Sequence, residues 1–205
     1  MQFDVYLFDF DGTLVDSRES LVPVFRAGFA AAGREVSEEE AERWMHLNLS
    51  QSLADSGVAE ELYPAVIEAT IAALDLPESL AMIRVFPDAV DTLRKLKERG
   101  KRIGIVSNNT ASHIRLVLQT LNIDVPLDCI VGSDMFEKGK PNPQPIEVAL
   151  SLLGEQAGSH VCYVGDSLQD PECGLNAGIG GVLLDREGAH SDYEGLKIQG
   201  LEELF

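Results

Sequence analysis

Val5-Tyr6-Leu7-Phe8-Asp9-Phe10-Asp11-Gly12-Thr13 runs straight from an apolar stretch into two carboxylates two residues apart. Unbroken apolar residues with no polar alternation predict a strand over about 4–8, buried on both faces as in a parallel sheet. Carboxylates at the end of such a strand are costly, because charge in a low-dielectric setting must be paired or neutralised. A cation, or a reaction that uses the acids, would account for them.

Beyond this stretch the pattern changes twice. From Asp16 to Arg84 it is helical throughout. Leu21, Val24, Phe25, Phe29 and Ala32 share one face of a helix starting at Arg18, capped by Asp16 or Ser17 and ended by Gly33. Ser37 with Glu40 makes a capping box for a second helix through Trp44. Glu60 to Leu74 predicts another, with Pro64 in its first turn. From Pro87 onward, helices alternate with short apolar strands: 102–106, 129–131, 160–164 and 181–184, with helices over 88–99, 111–121, 145–153 and 170–177 between them. The fold class is therefore α/β, a parallel sheet covered on both faces, with an inserted helical module. The expected division is a core of residues 1–15 and 85–205 and an insertion of residues 16–84.

The chain has 205 residues, 45% of them hydrophobic and 24% charged, proportions of a soluble globular protein. With 34 acidic against 16 basic residues, the formal net charge is -18. That excess opposes non-specific binding to nucleic acid or to an anionic membrane surface, although one locally positive site can still take a small anion. Cys129, Cys162 and Cys173 are odd in number and lack Cys-x-x-Cys spacing, so they read as reduced, buried residues. There is no basic region followed by a long apolar stretch at the start, and no apolar run of roughly 18 residues. A cytoplasmic protein, monomeric or homodimeric, is expected.

In an open parallel sheet, ligands lie beyond the carboxyl ends of the strands. Four polar groups follow strand ends or the loops after them: Asp9 with Asp11, Ser107 with Asn108, Lys140 within Gly139-Lys140-Pro141-Asn142-Pro143, and Asp166 with Asp170. Together they suit transfer of a phosphoryl group, which demands charge neutralisation and in-line positioning. Mg²⁺ takes oxygen ligands, usually one or two carboxylates with water and phosphate. Asp9 and Asp166 are the expected pair, with Asp170 as a direct ligand or the holder of a metal-bound water. Lys140 and Ser107 would hold phosphoryl oxygens, with Asn108 beside them. Asp9 would attack phosphorus to form an aspartyl-phosphate, and Asp11 would act first as acid and then as base.

These four groups, in this order, resemble the motifs of the haloacid dehalogenase superfamily of phosphatases. The matching stretches are Asp9 to Ser17, Val106-Ser107-Asn108, Gly139 to Pro143, and Val164-Gly165-Asp166-Ser167-Leu168-Gln169-Asp170. The resemblance implies a Rossmann-like core with a helical cap between the first two motifs. It also implies Asp9 as nucleophile, Asp11 as acid/base with its backbone carbonyl on Mg²⁺, Ser107 and Lys140 on phosphate, and Asp166 completing the metal site. Dehalogenating members lack a carboxylate at the Asp11 position, which favours phosphate chemistry here.

The implied activity is Mg²⁺-dependent hydrolysis of a small phosphorylated metabolite, similar to phosphoglycolate phosphatase-like members. Phosphoglycolate, a sugar phosphate, a nucleotide and pyrophosphate all stay open as substrates. The alternative is a sugar phosphomutase. Such enzymes often carry Glu-Asp where this chain has Gly165-Asp166, so the glycine leans toward hydrolysis. A phospho-accepting binding module is a third reading, but it needs neither Asp11 nor a cap. Relatives with this cap carry a glycine-containing loop after the second cap helix. Here that stretch is Trp44-Met45-His46-Leu47-Asn48-Leu49-Ser50, in which His46 and Asn48 are the candidates to read the leaving group.

Overall fold

The structure is a computed structural model that describes residues 3–45, 47 and 49–205. In chain order its elements begin with β1 (Val5–Phe8), β2 (Val15–Asp16), α1 (Arg18–Ala30), α2 (Glu38–Trp44), α3 (Leu49–Ser56), α4 (Tyr63–Leu74), α5 (Pro77–Leu80) and β3 (Arg84–Val85). They continue with α6 (Ala89–Glu98), β4 (Arg102–Val106), α7 (Ala111–Thr120), β5 (Cys129–Val131), α8 (Gln144–Leu153), β6 (Val161–Gly165), α9 (Gln169–Asn176), β7 (Gly180–Leu184) and β8 (Leu196–Ile198). The chain divides into two compact units, Met1–Val15 with Val85–Phe205, and Asp16–Arg84.

The first unit is built on a six-stranded sheet in the order β5-β4-β1-β6-β7-β8. Every pairing is parallel. β1 lies inside the sheet, with Phe8 opposite Ile105 of β4 on one side and Val164 of β6 on the other. All four of its residues are buried, which is why its sequence is apolar without alternation. Val5, Leu7, Val106, Val131, Ile146, Ala149, Val161 and Tyr163 share one core cluster on one side of this sheet. Because the strands are parallel, β1, β4, β5 and β6 all end at the same edge. The order turns back at β1, whose neighbours come from later in the chain, and such a reversal opens a crevice at that edge.

The expected strands and helices form, with ends shifted by a residue or two, except that the helix expected from Glu60 begins at Tyr63 after a 3-10 turn over Glu60–Leu62. The sheet also gains a sixth strand, β8, that the apolar pattern does not mark. It is three residues long, exposes Leu196, half-exposes Lys197 and buries only Ile198, so a single core side chain and the pairing with β7 fix its place. A helix over Leu49–Ser56 likewise lacks a sequence signal strong enough to separate it from a loop. The stretch expected to be helical throughout begins and ends in a two-stranded ladder, β2 with β3, where the chain passes between the units.

The second unit packs helices around aromatic side chains. Phe25, Phe29, Val36, Ala41, Trp44, Leu53 and Val66 form its buried cluster. The Trp44 ring stacks on Phe29 at 4.8 Å and meets Phe25 edge-on at 5.7 Å. Its Nε1–H donates to Asp55 Oδ2 at 2.8 Å. α2 starts at the expected capping box, with the Ser37 hydroxyl accepting from Glu40 N–H and the Glu40 carboxylate accepting from Ser37 N–H. Among the described residues no helix is long and apolar enough to cross a membrane.

The Trp44 contacts separate packing from hydrogen bonding. Trp44→Ala removes the whole ring and is expected to cost about 3–5 kcal/mol. Trp44→Phe keeps the stack and loses the Asp55 bond, an expected cost of about 1 kcal/mol. Urea denaturation measures both, and equal costs would contradict this division.

Candidate active site

Asp9 follows β1 directly, and its N–H extends the ladder by donating to Val164 C=O at 2.8 Å. The chain then turns tightly. Phe10 C=O accepts from both Leu14 and Val15 N–H, and Gly12 N–H donates to Val15 C=O. Gly12 has φ +78, and a Cβ built there would stand 2.2 Å from Asp166 Oδ2. Glycine is thus required twice over, by the left-handed backbone and by the approach of the turn to a carboxylate. Thr13 is fully buried, and its hydroxyl donates to Asp166 Oδ1 at 3.2 Å.

Lys140 is the cation set among these acids. It is buried, with Nζ 2.6 Å from Asp170 Oδ1 and 3.0 Å from Asp9 Oδ1. Its ammonium lies 5.7 Å from the centre of the Tyr163 ring, whose hydroxyl donates to Val106 C=O. The loop that carries it, with a cis bond before Pro141, is tied to α9. The Cys173 thiol donates to Asn142 C=O, and Asn176 Nδ2 donates to Pro141 C=O. Asp170, completely buried, accepts Lys140 on Oδ1 and Ser167 N–H on Oδ2.

At the end of β4, Ser107 is buried, its N–H donating to Val131 C=O and its hydroxyl accepting Asn109 N–H. The next residue, Asn108, has a buried Oδ1 with no partner among the described residues. Asn109 was not singled out by its sequence, yet its Nδ2 donates to Asp11 Oδ2 at 2.5 Å. Thr13 lies inside the first motif, but its residue type carries no mark of a role until Asp166 stands beside it. His46 and Asn48 lie outside the described residues.

Asp9, Asp166 and Asp170 each offer a carboxylate oxygen, and these atoms lie within 4.8 Å of one another. The donors are all oxygen, the set that suits a hard cation such as Mg²⁺ rather than a thiophilic metal. Burial raises the Asp9 pKa well above the usual carboxylate range, and the neighbouring charges of Asp170, Asp166 and Asp11 add to it, against the lowering pull of Lys140. Burial alone would lower the pKa of Lys140. The attraction of Asp170 and Asp9 outweighs it and holds the ammonium charged. The three thiols are free and buried, and burial pushes Cys129 up to about 11 and Cys173 up to about 12, so neither is a ready nucleophile.

Gly165 has a packing role of its own. A Cβ there would lie 2.2 Å from Asp170 Cγ. The absence of a side chain makes room for the Asp170 carboxylate.

The raised pKa of Asp9 has a consequence for stability. An unfolded aspartate titrates near about 3.9. Between that value and the raised folded one, the native state binds the extra proton, so folding weakens as pH rises. In chelator-treated protein, Asp9→Asn should therefore melt higher than the wild type at pH 8. The gain should shrink toward pH 4. Thermal melts across this range check it, and a gain independent of pH would contradict it.

Comparison with known proteins gives a consistent result. The family model described as haloacid dehalogenase-like hydrolase matches residues 6–183. A phosphoglycolate phosphatase of Cereibacter sphaeroides is 30% identical, over 95% of this chain and 91% of its own. The pyrophosphatase PpaX of Bacillus cereus is 26% identical, over 87% of this chain and 81% of its own. A crystal structure of a haloacid dehalogenase-like hydrolase from Bacteroides fragilis superposes with a TM-score of 0.87 at 26% identity, covering 100% of both chains. A match that starts in β1 and ends in β7 takes in each strand end described above, and the chain belongs to the haloacid dehalogenase-like hydrolase family.

Proposed function

We propose that this protein is a Mg²⁺-dependent phosphatase that hydrolyses a small phosphomonoester through an aspartyl-phosphate on Asp9. The observation that carries the reading is the position of Lys140 Nζ, 2.6 Å from Asp170 and 3.0 Å from Asp9, beside a third carboxylate from Asp166. Relatives named phosphoglycolate phosphatase and pyrophosphatase support phosphate chemistry without choosing a substrate.

In this reading Asp9 and Asp166 hold the metal, with the Asp11 backbone carbonyl. Both oxygens of Asp170 already have donors, so its part is to aim Lys140, rather than to ligate directly. When bound, Mg²⁺ offsets the clustered negative charge and makes the phosphorus more electrophilic. Lys140, Ser107 and Asn108 hold the phosphoryl oxygens as charge redistributes. A carboxylate oxygen of Asp9 forms a bond to phosphorus while the ester oxygen leaves. Asp11 gives that oxygen its proton, and the alcohol departs. Asp11, now ionised, takes a proton from water as the water attacks phosphorus. Inorganic phosphate is released and Asp9 returns to its carboxylate. Asn109 keeps the Asp11 carboxylate aimed through both halves.

Residues 1–15 and 85–205 serve as the catalytic core and residues 16–84 as a helical cap. The enzyme works in the cytoplasm, as a monomer or homodimer, on a small metabolite rather than on nucleic acid or a membrane.

A panel of phosphoglycolate, sugar phosphates, nucleotides and pyrophosphate, each with Mg²⁺, tests the reading by release of inorganic phosphate. Turnover should vanish with a chelator and return with Mg²⁺. Asp9→Asn should lower kcat on the order of 10³-fold or more, and Asp11→Asn by about 10²–10⁴-fold. Undiminished turnover in Asp9→Asn would overturn the mechanism.

A further inference from the structure

Arg186 lies just beyond β7, and nothing in the mechanism above uses it. Its guanidinium is four-fifths buried and held from two sides. Nη1 donates to Asp88 Oδ2 at 2.8 Å, Nη2 donates to Asp88 Oδ1 at 3.0 Å, and the group lies 4.1 Å from the centre of the Phe86 ring. Asp88 is itself pinned, since Oδ2 also accepts Leu201 N–H at 2.9 Å. Phe86 N–H donates to Leu14 C=O at 3.1 Å. A fork fixed in this way can present another N–H in a defined direction. It does so: Nη2 also donates to the backbone carbonyl of Thr13 at 3.0 Å.

Thr13 is the residue whose hydroxyl donates to Asp166 Oδ1. Arg186 therefore reaches the acid cluster through one intermediate residue. A salt bridge needed only to join Asp88 to β7 would be complete without this last contact.

We propose that Arg186 is a positioning residue: by holding the Thr13 carbonyl it fixes the Thr13 hydroxyl on Asp166, and so sets the affinity of the cluster for its divalent cation. The inference rests on the metal site proposed above. Loss of the guanidinium removes the donor on the Thr13 carbonyl and leaves the Leu14 N–H bond to Phe10 C=O as the remaining tie on that peptide. The hydroxyl then holds Asp166 Oδ1 less firmly, and part of the ordering of the carboxylate falls to the cation when it binds. Partners one step removed from a metal ligand commonly change affinity by about 10–100-fold.

Calorimetric titration of substrate-free protein with Mg²⁺ tests this in the wild type, Arg186→Met, Thr13→Val and the double variant. Thr13→Val should raise the Mg²⁺ Kd on the order of tenfold, and Arg186→Met should raise it several-fold. Because Arg186 acts through Thr13, the double variant should bind no more weakly than Thr13→Val alone. A merely structural role would lower the melting temperature of Arg186→Met and leave its Kd unchanged. If Arg186→Met does not fold, Arg186→Lys carries the same test, since one ammonium keeps the charge facing Asp88 but cannot fork to Thr13 as well. A Kd in the folding Arg186 variant equal to that of the wild type, or losses that multiply in the double variant, would overturn the inference and leave the metal site standing. Failure of the wild type to bind Mg²⁺ would overturn both.

Discussion

One buried ammonium holds the site together. Lys140 lies between Asp9 and Asp170, all three buried where water can do little to screen them, with the half-buried Asp166 alongside. Removing the lysine would leave its acids uncompensated, a cost of about 3–5 kcal/mol, whereas replacing the whole set with apolar residues is often neutral or stabilising. Stability alone is thus a weak reason to keep several acids and one lysine at the end of a buried strand. The cluster makes sense when a cation and a phosphoryl group join it. Burial, more than any neighbouring charge, raises the pKa of Asp9, so its carboxylate is held there at a cost that a bound cation would offset.

The sheet supplies what the cluster needs. Asp9, Ser107 and Asp166 follow β1, β4 and β6, which are neighbours, so groups spread along the chain converge without any of them leaving its strand end. Lys140 comes instead from a loop, and it is held by contacts to α9, the helix that also bears Asp170. The lysine and its counterion are therefore anchored by the same element. This arrangement keeps rigid the part of the site that must not drift, as precise electrostatic positioning requires.

Much of this was legible before any coordinates. An apolar run ending in Asp9 and Asp11, strands alternating with helices, and four polar groups after strand ends lead to a parallel sheet with its site at one edge. What escaped notice did so for physical reasons. β8, Leu196-Lys197-Ile198, is too short to print an apolar pattern, and it is placed by pairing with β7 and by burial of Ile198. Asn109 and Thr13 act through hydrogen bonds to Asp11 and Asp166, and neither residue type carries a signal until its partner is placed beside it. Gly165 was visible in sequence, but its close approach to Asp170 was not.

The central claim is that Asp9, held against Lys140, becomes covalently phosphorylated. The direct test is to mix enzyme with Mg²⁺ and a phosphomonoester that it turns over, quench in acid within a single turnover, and reduce with borohydride. An aspartyl-phosphate is converted by this treatment to homoserine, which peptide mass spectrometry locates. The account predicts homoserine in place of Asp9, dependent on substrate and Mg²⁺. Rapid phosphate release with Asp9 unmodified at every quench time, or homoserine at another aspartate, would contradict it.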